Sequence, residues 1–309
     1  MVESEKESLY VTLNNGERIP KLGLGTAHAE DPELLKAAVK SAISCGIRMI
    51  DTATAYKNEH IIGEALTEVF AEGSIKREDL FIVTKYMPYM VEGETVESSL
   101  KKSLEMLKID YLDMYLLHGN LGKMVDKEKQ IFKGDPLFKT WKAFEECQKA
   151  GLAKSIGVCN CNCMLIMDLL NYCEIKPVVN QIELHPYLPQ TDFVRYLKNN
   201  DVMPMAFAPL TNYNDAIFER KNILDNELVK QIAEKYEKTP AQICIAWGLQ
   251  RGTIVIPKSM NAERLKLNFE AMYIHLESEE IQKLENLPYQ LRCYDPKRWE
   301  WLARLPLYD

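Results

Sequence analysis

The chain predicts an α/β fold in which parallel strands alternate with helices, either closed as a barrel or doubly wound as an open sheet. Apolar runs of roughly four to seven residues recur every thirty-odd positions: KLGLGT at 21–26, IRMID at 47–51, LFIVTK at 80–85, YLDMYLL at 111–117, KSIGV at 154–158, PVVNQI at 177–182, VMPMAFA at 202–208 and TIVIP at 253–257. The runs are continuous in hydrophobicity, which fits parallel strands covered on both faces. The segments between them carry helical period and helix start signals.

In chain order, the stretches YVTL and ERIP flank Asn14-Asn15-Gly16, a strong hairpin turn that precedes the first parallel strand. Asp31-Pro32 reads as a helix cap followed by the first turn. Residues 119–135, GNLGKMVDKEKQIFKGD, show neither helical nor strand period and predict a long loop directly after His118. Thr239-Pro240-Ala241-Gln242 combines a hydroxyl cap, proline at the first helical position and glutamine at the third, a capping box that opens the helix through ICIAWGLQ. Asn261 is expected to cap the helix that follows the last strand. The tail RCYDPKRWEWLARLPLYD is irregular and aromatic, and its Trp299 and Trp301 suit either a pocket wall or surface packing.

With 309 residues, 47% of them hydrophobic, the chain can bury a large core. No linker composition divides it, so a single domain over 1–309 is expected. The formal charge of −7, with both signs interspersed, argues against nucleic-acid or anionic-membrane partners. MVESEKESLY lacks a signal-peptide core and no apolar stretch approaches the roughly 18 residues of a membrane span, so a cytoplasmic protein, monomeric or weakly dimeric, is expected. Eight cysteines are too sparse for a disulfide framework. Cys45, Cys147 and Cys244 sit in apolar patterns as buried thiols. Cys159, Cys161 and Cys163 alternate along VCNCNC without the spacing or partners of a metal site, and no metal is expected.

Polar residues at the carboxyl ends of three successive apolar runs point to one site. Asp51 and Tyr56 lie in RMIDTATAYKNE, Lys85 closes LFIVTK, and His118 closes YLDMYLLH. Taken singly, each has a structural reading: a helix cap, a core ring, a snorkelling cation, a histidine bonded to a backbone carbonyl. Together, in order, at neighbouring strand-to-helix junctions, they read as catalytic.

In these segments the chain resembles the aldo-keto reductase family, the resemblance covering about 9–304. Asp51, Tyr56, Lys85 and His118 match the family's catalytic tetrad, and VCNCN, NQIELHPY at 180–187, AFAPL at 206–210 and IPKSMNAERLKLN at 256–268 match its cofactor-binding segments. The resemblance selects the (β/α)8 TIM barrel, with the N-terminal hairpin plugging its bottom and the active site at the strand ends. It implies reduction of a small-molecule aldehyde or ketone by NADPH. Tyr56 would donate the proton, Lys85 would lower its pKa from the ordinary value near 10, Asp51 would anchor Lys85, and His118 would orient the carbonyl oxygen.

The same resemblance implies cofactor contacts from Thr26, Asp51, Cys159, Asn160, Gln181, Phe207, Leu210, Lys258, Ser259, Arg264 and Asn268. Asn160 and Gln181 match carboxamide ligands, and Phe207 the aromatic that stacks on nicotinamide. Lys258, Ser259 and Arg264 surround a helix start suited to the 2′-phosphate of NADP, with Asn268 toward the adenine. Cys159 stands where serine is usual and Leu267 where an acid often is. The substrate pocket is expected from Ala27, Tyr56, Met87, His118, Gly119 and Trp299. Ala27 and Gly119 replace tryptophans common in the family, which implies a wider mouth. Two other readings of the chain are a barrel aldolase with Lys85 as Schiff-base nucleophile, which leaves the nucleotide segments without a purpose, and a non-catalytic nucleotide-sensing subunit, against which the full tetrad argues. Cys159 reads either as a cofactor-shielded reactive thiol or as a buried inert one.

Overall fold

The computed structural model describes residues 9–91, 93–211 and 222–295. It begins with β1 (Tyr10–Thr12) and β2 (Arg18–Pro20), an antiparallel hairpin turned at Gly16, whose φ of 86° suits glycine. Parallel strands then alternate with helices: β3 (Leu24–Gly25), α1 (Pro32–Cys45), β4 (Met49–Asp51), α2 (Glu59–Ala71), β5 (Phe81–Tyr86), α3 (Val96–Leu107) and β6 (Leu112–Leu117). After β6 come β7 (Lys123–Asp126) and β8 (Ile131–Lys133), then α4 (Leu137–Lys149), β9 (Ala153–Cys159), α5 (Cys163–Tyr172), β10 (Val179–Glu183), α6 (Thr191–Asn199) and β11 (Met203–Phe207). The described chain continues with α7 (Glu227–Tyr236), α8 (Pro240–Gln250), β12 (Ile254–Ile256), α9 (Ala262–Glu270) and α10 (Ser278–Glu285).

Strands β3, β4, β5, β6, β9, β10, β11 and β12 form one parallel sheet in that order. Its two ends meet: Gly23 N–H donates to the Val255 carbonyl (3.0 Å), Val255 N–H to that of Lys21 (2.9 Å) and Gly25 N–H to that of Pro257 (3.1 Å). This is the (β/α)8 barrel, and its parallel strands deliver all their carboxyl ends to one face.

Two apolar layers hold it. Leu35, Val39, Leu66, Leu100, Trp141, Phe144 and their neighbours pack the helices on the outside of the sheet. Inside the barrel lie Met49, Phe81, Val83, Met114, Leu116, Met205 and Ile254, joined by Leu13 and Ile19 of the hairpin. Asn14 donates to the Pro177 and Asp201 carbonyls (3.0 and 2.9 Å) and Asn15 to Ser155 Oγ (3.0 Å), so the hairpin seals the end opposite the strand carboxyl termini.

The expected caps form. Asp31 accepts from Leu34 N–H, Thr239 and Gln242 make a reciprocal capping box, and Asn261 accepts from Arg264 N–H at the start of α9.

Residues 119–135 differ from expectation. They hold the antiparallel pair β7–β8, with Met124 opposite Phe132 and a register shift before Asp126. The pair is short, nowhere fully buried and exposed on alternate residues, with no more than two apolar residues in a row, so it carries no long apolar run. Its signature was a pair of glycines, since a Cβ on Gly122 would lie 2.3 Å from the Lys133 carbonyl oxygen and one on Gly134 2.6 Å from Gly122 Cα. Trp299 and Trp301 lie outside the described residues. No helix among the described residues is long and apolar enough to cross a membrane.

Candidate active site

Asp51 is the last residue of β4, Lys85 lies one residue before the end of β5, and His118 directly follows β6. Tyr56 ends a single 3-10 turn, Thr54–Tyr56, that leaves β4 and returns toward β5 through a bond from the Thr54 hydroxyl to the Lys85 carbonyl (3.0 Å). The strand ends are tied to one another: Thr26 N–H and hydroxyl both donate to the Asp51 carbonyl (3.1 and 2.9 Å), and His118 N–H donates to that of Tyr86 (2.8 Å).

Lys85 is fully buried. Its ammonium donates to Asp51 Oδ1 (2.5 Å), to the Thr52 carbonyl (2.8 Å) and to the Tyr56 hydroxyl (3.4 Å). The His118 ring meets the Tyr56 ring edge-on, with centroids 5.7 Å apart. The four expected residues therefore form one cluster, in which the Lys85 ammonium joins Asp51 to the Tyr56 hydroxyl and the His118 ring lies against the Tyr56 ring.

The electrostatics follow from burial and charge. Burial alone disfavours the Lys85 ammonium, but the Asp51 carboxylate and the Tyr56 oxygen outweigh it and the net shift is upward. Burial likewise dominates at Tyr56, whose phenol is pushed up to about 12 even though Lys85 pulls the other way. Lys85 thus acts on the phenol in the direction expected from sequence, and desolvation of the phenolate outweighs it. Burial, then the positive Lys85, hold His118 well below the usual histidine range, so its imidazole is neutral. Its Nδ1 is buried and has no hydrogen-bond partner among the described residues.

One link was not foreseen. Gln181 Nε2 donates to Asp51 Oδ2 (2.8 Å), so Asp51 is held by Lys85 on one oxygen and by β10 on the other. Asn160, in left-handed backbone at φ 59°, donates from Nδ2 to the His118 carbonyl (2.9 Å). With their amide nitrogens so used, Asn160 keeps its side-chain oxygen and Gln181 one that the Cys159 thiol approaches at 3.8 Å and whose second lone pair remains, and two acceptors suit the two N–H bonds of a carboxamide. Phe207 ends β11 half-buried, and Leu210 is half-buried just beyond it. After β12, Ser259 is buried, Lys258 donates to the His28 carbonyl (3.0 Å), Arg264 is exposed in the first turn of α9, and Asn268 is buried one turn further on. Asn58, unremarked in the sequence, accepts from Thr52 (2.8 Å) and donates to the Thr26 carbonyl (2.9 Å), bracing the Asp51 loop. Its place at the start of α2, where it makes no capping bond, was no guide to that role.

Ala27, Met87 and Gly119, expected from sequence to line the substrate pocket, are each half-buried. A Cβ on Gly119 would meet only Met87 Sδ, at 3.9 Å, so the space of the absent side chain is open there. Cys159 is 1% exposed, and its burial pushes the thiol pKa upward, which favours the inert reading. Iodoacetamide should therefore label exposed Cys163 first and Cys159 slowly, as read by peptide mass mapping.

The model of the Aldo/keto reductase family matches residues 21–288, and the chain belongs to that family. It is thus an oxidoreductase of carbonyl and alcohol groups, in a family that uses NADPH and NADP+. It is 40% identical over 304 residues to the NADP-dependent D-sorbitol-6-phosphate dehydrogenase of Malus domestica, covering 94% of this chain and 97% of that one. Aldose reductase C of Dictyostelium discoideum is 37% identical over 298 residues, with 92% and 91% covered, and prostaglandin F synthase 1 of Bos taurus 36% over 311 residues, with 94% and 95% covered. The solved aldose reductase of Schistosoma japonicum superposes with a TM-score of 0.85 at 35% identity, over 93% of this chain and 94% of that one.

Proposed function

We propose that this chain is a single-domain NADPH-dependent reductase of small-molecule aldehydes or ketones, with Tyr56 as proton donor. The observation that carries this reading is the buried Lys85 ammonium set between Asp51 and the Tyr56 hydroxyl beside a neutral His118. Bound NADPH would supply a hydride to the carbonyl carbon. His118 donates a hydrogen bond to the carbonyl oxygen, fixing its direction and stabilising the negative charge that develops there. Tyr56 then gives up its proton to that oxygen. A phenol at about 12 holds its proton at neutral pH, yet an alkoxide is a far stronger base than phenolate, so the transfer runs downhill. The phenolate left behind is paired at once with Lys85.

The cofactor reading is supported by the NADP-dependent relative and by the acceptors and cations described above. Asn160 and Gln181 would hold the carboxamide, Phe207 would stack on the nicotinamide, and Lys258, Ser259 and Arg264 would take the 2′-phosphate, with Asn268 at the adenine. Relatives named for a sugar phosphate, for aldoses and for a prostaglandin share only the carbonyl and alcohol pair, which is the chemistry the four residues address. The upward shift at Lys85 opposes the aldolase reading, since a Schiff-base lysine must be deprotonated to attack.

The assay is NADPH oxidation by a panel of sugars, aromatic and aliphatic aldehydes and ketones, with NADH in parallel. No turnover of any carbonyl would leave the sensing reading. In fluorescence titrations NADPH should bind more tightly than NADH. Arg264→Ala should weaken NADPH by roughly 10- to 100-fold, the size of a lost hydrogen bond to a charged group, and leave NADH unchanged. Equal affinities in the parent would refute the phosphate assignment.

A further inference from the structure

Glu183 and His185 lie just past the cofactor residue Gln181, and the reaction makes no use of either. Glu183 is the last residue of β10, 1% exposed, and it is surrounded by donors. Its Oε1 accepts from Cys293 N–H (2.6 Å) and is 2.8 Å from His185 Nε2, and its Oε2 accepts from Tyr294 N–H (2.8 Å). Burial works against the carboxylate, but the His185 bond and the two backbone N–H groups outweigh it and keep the group ionised. A third tie runs beside it, from Leu291 N–H to the Tyr187 carbonyl (2.9 Å). The segment 291–294, more than a hundred residues away in sequence, is thus fastened to the end of β10.

Ligand atoms of Glu183, His185 and Cys293 lie within 4.8 Å of one another, close enough to suggest a metal. The hydrogen-bonding argues otherwise, because three nitrogen groups already lie against the carboxylate, two of them backbone N–H groups that cannot turn away.

The fastening ends at the cofactor site. The Tyr294 ring meets Phe207 edge-on at 5.2 Å and 89°, and the Phe207 carbonyl accepts from Leu184 N–H (3.3 Å). We propose that Glu183, oriented by His185, is a positioning residue that anchors residues 293–294 and, through Tyr294, holds Phe207 at the angle at which it stacks on nicotinamide. The proposal rests on the cofactor reading above. A buried charge with three donors is a rigid anchor, and an aromatic ring already held by a neighbouring ring loses less freedom when a second ring stacks on it.

The test pairs hydrogen exchange with cofactor titration. Glu183→Gln keeps the shape but turns an amide nitrogen toward groups that are themselves donors. Exchange over 291–295 should quicken relative to the barrel strands, and the NADPH dissociation constant should rise. Tyr294→Leu leaves the backbone anchor in place, so exchange there should stay slow while NADPH weakens roughly 2- to 12-fold, the size of an edge-to-face aromatic contact. Tyr294→Phe should restore parental affinity. If Glu183→Gln does not fold, the Tyr294 pair still decides the link to Phe207. Unchanged exchange in Glu183→Gln overturns the anchor, and unchanged NADPH affinity in Tyr294→Leu overturns the positioning role. A parent protein that fails to bind NADPH refutes the cofactor reading and the Phe207 half of the proposal with it, while the exchange result still decides the anchor.

Discussion

Replacing Tyr56 by phenylalanine should lower kcat for aldehyde reduction by about 10²- to 10⁴-fold, the usual contribution of a general acid, and leave the fold and NADPH binding intact. The hydroxyl is the only atom removed. It sits 3.4 Å from the Lys85 ammonium, which keeps two other partners, Asp51 and the Thr52 carbonyl, so no buried charge is stranded. The ring keeps its edge-on contact with His118. The carbonyl oxygen then has a hydrogen-bond donor in His118 and no acid. Thermal denaturation and cofactor titration of the variant should match the parent, so that loss of turnover is read as loss of chemistry. A variant with near-parental turnover would refute Tyr56 as the acid.

Lys85→Met should cost both stability and activity. Methionine fills most of the same volume, yet Asp51 is left buried without its cation, and breaking a buried pair by removing one partner costs about 3–5 kcal/mol. Gln181 and the remaining backbone bonds of the Asp51 loop soften this without replacing a charge. The double variant Lys85→Met with Asp51→Asn removes both charges and should recover much of the lost stability in denaturant titrations. It should recover none of the turnover, because a phenolate at position 56 would have no counter-ion. Recovery of activity along with stability would mean that Lys85 acts only as a structural ion.

The parts of this molecule that were legible in the sequence are those written in local chemistry. Eight apolar runs gave the parallel strands, because a strand covered on both faces needs continuous hydrophobicity. The capping box at Thr239 and the cap at Asn261 gave their helix starts, because a cap is a bond between near neighbours. The alternation alone left barrel and open sheet undecided, since closure between β3 and β12 is a contact across the whole chain, and the family resemblance was needed to choose.

The nearness of Asp51, Tyr56, Lys85 and His118 was legible because all four lie at or close to the ends of three successive strands. What was missed is either short and exposed or long-range. The β7–β8 pair buries too little to show a pattern, and only its two glycines marked it. The Gln181 bond to Asp51 spans 130 residues and the Glu183 bonds to the tail 110 and 111, and no spacing rule reaches that far. The sign of the Tyr56 shift was also beyond the sequence, because it depends on how completely the ring is desolvated.

The most direct measurement follows the hydrogen itself. The protein would be given NADPH carrying deuterium in the transferable position at C4 of the nicotinamide, together with a reactive aldehyde, and then borohydride in a parallel sample without NADPH. Direct hydride transfer predicts one deuterium on the carbinol carbon of the alcohol and an unmodified Lys85 peptide in the borohydride sample, both read by mass spectrometry. An alcohol without the label, or a substrate adduct trapped on Lys85, would contradict it.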